Sequence, residues 1–104
     1  MAHAITAEEA RKDFLTYLAG LAKYWATLPD KTPLERCNGL AFSVLTIIDG
    51  DTFMPPMDLV LRPHPDDEQF NRDDGDDWYE DGQVINDCGA LHEIWHRHEE
   101  ALKP

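Results

Sequence analysis

Positive charge is what this sequence has least of. Nine Lys and Arg stand against 21 Asp and Glu, a formal net charge of −12 over 104 residues. Sites for nucleic-acid phosphates or anionic lipid headgroups are built from Lys and Arg, so the balance argues against direct binding to either. Long apolar runs are missing too, and nothing approaches the ~18 residues needed to span a bilayer. The opening MAHAITAEEARKDF lacks the charged-then-apolar pattern of an export signal, which makes the cytoplasm the expected location. Cysteine is scarce. Cys37 and Cys88 lie in no C-x-x-C pattern, and in a reducing compartment both are expected to be thiols. There is no glycine-rich phosphate loop, nucleophile elbow or Cys/His catalytic signature.

What is present is enough apolar material for one modest core: 42% hydrophobic and 10% aromatic residues, too rich for a disordered chain. One domain over residues 1–104 is expected. Its centre is TPLERCNGLAFSVLTIIDG, residues 32–50. Thr32 and Glu35 form a capping-box pair, Pro33 suits the first helical position, and Asp49-Gly50 suits a stop. The apolar residues between these signals cover about half the helix circumference, as in a mostly buried helix.

Two further helices are expected around it, giving a mainly α fold with a three-helix core of about 6–28, 32–49 and 87–103. Residues 6–28 open with the pair Thr6/Glu9, and Ala10, Phe14, Leu18, Leu21, Trp25 and Leu28 share one face. Leu15, Ala19, Ala22 and Ala26 form a second, small-residue strip that would admit another helix, in this chain or in a homodimer. In the last element Asp87 is the expected N-cap, and Leu91, Ile94, Trp95 and Leu102 the buried face with His98 among them.

Between the second and third helices lies a long acidic, largely irregular segment. Ten Asp and two Glu against Arg62 and Arg72 give residues 49–81 a net charge of −10, nearly all of the excess. Within it MDLVLR (57–62) reads as a short extended piece, Asp66-Asp67-Glu68 as one helical turn, and Asp74-Gly75 as a turn. Phe70, Trp78 and Tyr79 are the expected anchors of this segment on the helices.

Several motifs bear on chemistry. His92-Glu93-Ile94-Trp95-His96 is H-E-x-x-H on an expected helix, where two histidines four apart can ligate zinc and Glu93 can serve as base. Only eight residues follow His96, so a third ligand must come from upstream. His64, Asp66 or Asp67 could supply it, and His64, Asp67, His92 and His96 form the corresponding mixed metal set. The bland reading is that His92 and His96 are solvated flank residues, that Asp66 and Asp67 cap a local helix, and that His64 hydrogen-bonds nearby. The run Asp73-Asp74-Gly75-Asp76-Asp77 does not fit an EF-hand loop, since Gly75 in sixth place puts Phe70 first and Arg72 third.

LVLRPHPDDE (59–68) resembles the zinc-binding opening of the N-acetylglucosaminyl deacetylase family. That resemblance would make His64 and Asp67 ligands and Asp66 the base. It covers ten residues, and the 36 that follow cannot supply the family's large α/β sheet. GLAFSVLTIIDG (39–50), HPDD (64–67), GDDWY (75–79) and LHEIW (91–95) as a set resemble a group of small, acidic bacterial and phage proteins with no established activity. That resemblance spans about residues 34–97, and the central helix is its most specific part. It implies no site residue.

The leading expectation is therefore a small non-enzymatic interaction protein needing no cofactor. Its acidic surface, with Asp66, Asp67, Asp73, Asp74, Asp76, Asp77, Trp78 and Tyr79, would meet a basic protein surface. A phage-related inhibitor that mimics nucleic-acid charge is one concrete form. The rival is a small zinc-dependent hydrolase using H-E-x-x-H with Glu93 as its base.

Overall fold

Both long helices begin at their capping boxes. The structure, a computed structural model, describes residues 2–87 and 89–102. Helix α1 spans Ala7–Thr27 and α2 spans Pro33–Ile48. Thr6 Oγ1 accepts from the Glu9 N–H at 3.1 Å, and the Glu9 carboxylate accepts from the Thr6 N–H at 3.0 Å. Thr32 and Glu35 repeat the exchange at 3.1 and 2.9 Å. The threonine backbone N–H is the main influence holding each of these glutamates below its ordinary pKa.

The link between the helices is short, and Asp30 turns it with a φ of 61°, a left-handed conformation that Asp tolerates. The last turn of α1 carries no basic residue of its own. Arg36 of α2 supplies one, donating from Nε and Nη2 to the Leu28 carbonyl at 3.2 and 2.9 Å, where a cation suits the helix dipole.

The antiparallel pair is held by one close approach. The Trp25 ring lies over Gly39, where even a Cβ would collide with it. Its indole N–H donates to Ser43 Oγ at 3.0 Å, and the Ser43 hydroxyl donates to the Gly39 carbonyl at 2.8 Å. Ser43 is thus the polar peg between the helices.

After α2 the chain turns at Gly50, whose φ of 82° and close contact with Pro56 leave no room for a side chain. The chain then folds back, the Met57 N–H donating to the Ile48 carbonyl at 2.8 Å, and Met54, Ile47 and Ile48 are buried. These three, at 8%, 0% and 9% exposure, are the buried apolar core among the described residues.

Two shorter helices follow: α3, Asp67–Asp73, and α4, Leu91–Trp95, with a 3₁₀ turn at Glu99–Leu102. The protein is mainly helical as expected, with no strand among the described residues. No helix there is long and apolar enough to cross a membrane.

The third helix of the core differs from expectation. It begins at Leu91 rather than near Asp87, which is exposed, and the N-cap is Ala90. It ends after five residues, where bonds from Arg97 to Ile94 and from His98 to Trp95 tighten the chain into a turn. Leu91, Ile94 and Trp95 are partly buried, whereas His98 is exposed and not in the core. A short helix persists only where it is packed. Here Trp95 donates from Nε1 to Asn38 Oδ1 of α2 at 2.7 Å, and the regular turns stop just beyond that contact. Cys88 and Lys103 lie outside the described residues.

Candidate functional site

The acidic segment is anchored at its base. Val60 and Val84 form an isolated antiparallel bridge. Around it the Leu61 N–H donates to the Gln83 carbonyl, Gly82 to Leu61, and Ile85 to Leu59, at 2.8 to 3.0 Å. Asn86 adds a polar hook, its Oδ1 accepting from the Leu59 N–H at 2.9 Å and its Nδ2 donating to the Met57 carbonyl at 2.7 Å. The stretch 57–62 is extended as expected, and the segment paired with it is 82–85.

The aromatic anchors behave differently from expectation. Trp78 is partly buried, with the Arg72 guanidinium 4.1 Å from its ring, a cation–π contact. Phe70 and Tyr79 are 67% and 75% exposed and do not pin the segment. The bridge and Asn86 perform that task instead, through backbone groups that a side-chain pattern does not reveal.

Above this base the carboxylates stand in solvent. Asp66, Asp67, Asp73, Asp74, Asp76 and Asp77 are all exposed. Asp67 accepts from the His64 N–H at 3.1 Å, and Asp73 from Gln69 Nε2 at 2.8 Å. Glu68 approaches Arg72 at 3.6 Å, and Asp66 approaches His64 at 3.8 Å. Among the described residues Asp74, Asp76 and Asp77 have no side-chain partner. Beside them an open depression of about 390 Å³ is lined by His64, Glu68, Tyr79, Glu80 and Asp81 with two prolines.

A second polar centre joins the end of α2 to the start of α4. Asp49 is the C-cap of α2, and its side chain is only 4% exposed. It accepts from the N–H groups of Leu91 and His92 at 2.9 and 2.7 Å, and from His92 Nδ1 at 2.6 Å. Asp49 therefore ends α2 with its backbone N–H, bonded to the Leu45 and Ile47 carbonyls, and supplies with its carboxylate the N-terminal cap that Ala90 lacks. On the other side of the ring His92 Nε2 lies 3.3 Å from Asp51, and the Phe42 ring meets its edge at 5.6 Å. Burial alone would raise the pKa of Asp49. The backbone hydrogen bonds from His92 and Leu91, then the His92 side chain, outweigh it and hold the carboxyl below its ordinary value of 3.8.

This placement separates the proposed metal residues. His64 Nδ1 accepts from the Asp66 N–H at 3.1 Å, the local arrangement of the bland reading. His92 is engaged by Asp49 and Asp51, while His96, the C-cap of α4, and Glu93 are exposed. Among the described residues no three of His, Cys, Asp and Glu converge on a point where a metal ion could sit. Among the described residues His64, Asp67, His92 and His96 are thus not assembled into one set.

No protein family, curated protein or solved structure matches the chain. Its own geometry is what bears on function. Three polar residues that hold that geometry were not singled out from sequence: Asn38, Asp51 and Asn86. Their partners lie far along the chain, and only the Asn-Asp pairing of residues 86 and 87 in an otherwise apolar neighbourhood hints at one of them.

Proposed function

We propose that this is a non-enzymatic interaction protein whose acidic segment docks on a basic protein surface. The observation that carries the reading is the exposed run Asp74, Asp76 and Asp77, without side-chain partners, beside the exposed rings of Phe70 and Tyr79. Complementary charge steers such encounters, and tyrosine is prominent among the residues that hold them. The acidic depression beside Tyr79 is of a size to receive a Lys or Arg side chain. A nucleic-acid-binding protein offers the fitting surface, since a row of carboxylates can stand in for phosphates. An inhibitor of that kind suits the small bacterial and phage proteins that the sequence resembles.

The test reverses the charge of Asp73, Asp74, Asp76 and Asp77 to lysine together. These residues are exposed, so the helical signal should be unchanged. Capture of basic proteins from a bacterial lysate should fall by at least about tenfold, and wild-type capture should weaken at high salt as screening shortens the reach of the charges. Retention of the same partners by the reversed protein would show that the acidic face is only a solvated loop.

A further inference from the structure

The chain just after α2 forms a strap across the end of that helix. At its start the Gly50 N–H donates to the Ile47 carbonyl and the Asp51 N–H to the Thr46 carbonyl, both at 3.1 Å. At its far end the Met57 N–H returns to the Ile48 carbonyl at 2.8 Å. Between these fastenings the strap, residues 51–57, carries the buried Met54 and the exposed Phe53, whose ring meets that of Tyr17 on α1 edge to face at 5.0 Å. An open apolar groove of about 470 Å³ is lined by Phe53, Met54 and Met57 of the strap and by Ala10 and Phe14 of α1.

The strap reaches α4 through a charged contact, with Asp51 Oδ2 lying 3.3 Å from His92 Nε2. This contact depends on a proton in a way that the backbone fastenings do not. On the other side of the ring His92 Nδ1 lies 2.6 Å from Asp49 Oδ2. A carboxylate offers acceptors only, so Nδ1 carries a proton there whether the ring is neutral or charged. A neutral imidazole has one N–H, and Asp49 takes it. Nε2 would then turn a bare lone pair toward the Asp51 carboxylate, and the attraction would be gone. Pairing with both carboxylates therefore belongs to the imidazolium.

Burial decides which side gives way. Asp49 is 4% exposed and also holds the N–H groups of Leu91 and His92. The His92 side chain is 17% exposed, whereas that of Asp51 is 58% exposed. The ring stays seated at the junction, and Asp51 is the arm that can swing into solvent. The groups facing the ring are Asp49 and the uncharged Phe42 from α2 and Asp51 from the strap, while Glu93 and His96 of α4 itself are exposed.

We propose that His92 is a proton-operated latch: its imidazolium clasps Asp51 and holds the strap 51–57 closed over the end of α2, and loss of the Nε2 proton frees Asp51 and loosens the strap beside the apolar groove. Asp49 keeps its bonds in both states, so α4 stays in place while the strap moves. The clasp is present while the ring is charged and is lost as pH rises. The latch is independent of what the acidic segment binds.

The test follows hydrogen exchange of the Met57 amide, whose bond to Ile48 closes the strap, across a series of pH values. In the same samples the ring nitrogen chemical shifts of His92 report its charge. Asp51→Ala is the reference, and because Asp51 is exposed its circular dichroism should match the wild type. While His92 is charged, Met57 should exchange about threefold more slowly in the wild type than in Asp51→Ala, the scale of an exposed ion pair. As the Nε2 proton leaves, the two rates should converge. His92→Gln, which keeps an N–H donor for Asp49, should exchange at the same rate with and without Asp51→Ala at every pH. A wild-type to Asp51→Ala ratio that holds constant while His92 loses its charge, or equal rates while His92 is charged, would overturn the proposal.

Discussion

Replacing Asp49 by alanine is expected to destabilise the protein by about 3 kcal/mol, the scale for losing a carboxylate that accepts several hydrogen bonds at a buried junction. For a chain of this size that lowers the melting temperature by on the order of 15 °C. The carboxylate accepts two backbone N–H groups of α4 and the His92 ring from a side chain 4% exposed. Without it those donors are left at a partly buried junction, and α4 loses its cap.

The effect carries a pH signature. The pKa of Asp49 is lower in the folded chain than its ordinary 3.8. Its stabilisation is therefore complete above the unfolded value and is lost as pH falls through the folded one, in the acid range below about pH 4. The melting temperature of the wild type should fall over that range more steeply than that of Asp49→Ala. Thermal unfolding followed by circular dichroism at several acid pH values checks it. Equal melting temperatures at neutral pH, or parallel acid slopes, would refute the role given to Asp49.

Gly39→Ala is the second large effect, and its sign runs against helix propensity. Alanine in place of glycine within a helix ordinarily gains about 1 kcal/mol. At Gly39 the new methyl meets the Trp25 ring. The ring must shift and surrender its bond to Ser43, at a cost of about 1 kcal/mol for the bond and 1–3 kcal/mol for the crowding. A net destabilisation of about 2 kcal/mol is expected. Gly20 provides the internal comparison, for nothing lies within 4 Å of its added Cβ, and Gly20→Ala should stabilise by up to about 1 kcal/mol. Urea unfolding of the two variants separates them, and two shifts of the same sign would sink the argument.

The same residues show what could be read from the sequence. α1 and α2 were legible because their instructions are local: Thr6 with Glu9, Thr32 with Glu35, and an apolar stripe at helical spacing. α4 was only half legible. Leu91, Ile94 and Trp95 announce its buried face, but its cap comes from Asp49, more than 40 residues away. Its length is set by where α2 stops offering contacts, and no local signal carries that. The H-E-x-x-H spacing was correct as a pattern on a helix. It lacked the third direction, because His92 turns toward Asp49 and Asp51. Phe70 and Tyr79 were misread for a related reason: aromatic residues in a polar run suggest burial, and here the backbone pairing around Val60 and Val84 already closes the segment.

That pairing has a consequence for how the molecule can change. The chain leaves the bridged base at Leu61 and returns to it at Gly82 and Gln83, where Leu61 is bonded to both at 2.8 and 2.9 Å. Closing a flexible loop costs only about 0.6 kcal/mol more for each doubling of its length. The stretch between these residues is thus a tolerant insertion point, where a peptide tag or an altered sequence should be accepted with little loss of stability. Selection could rewrite what this loop recognises while leaving the scaffold that presents it untouched.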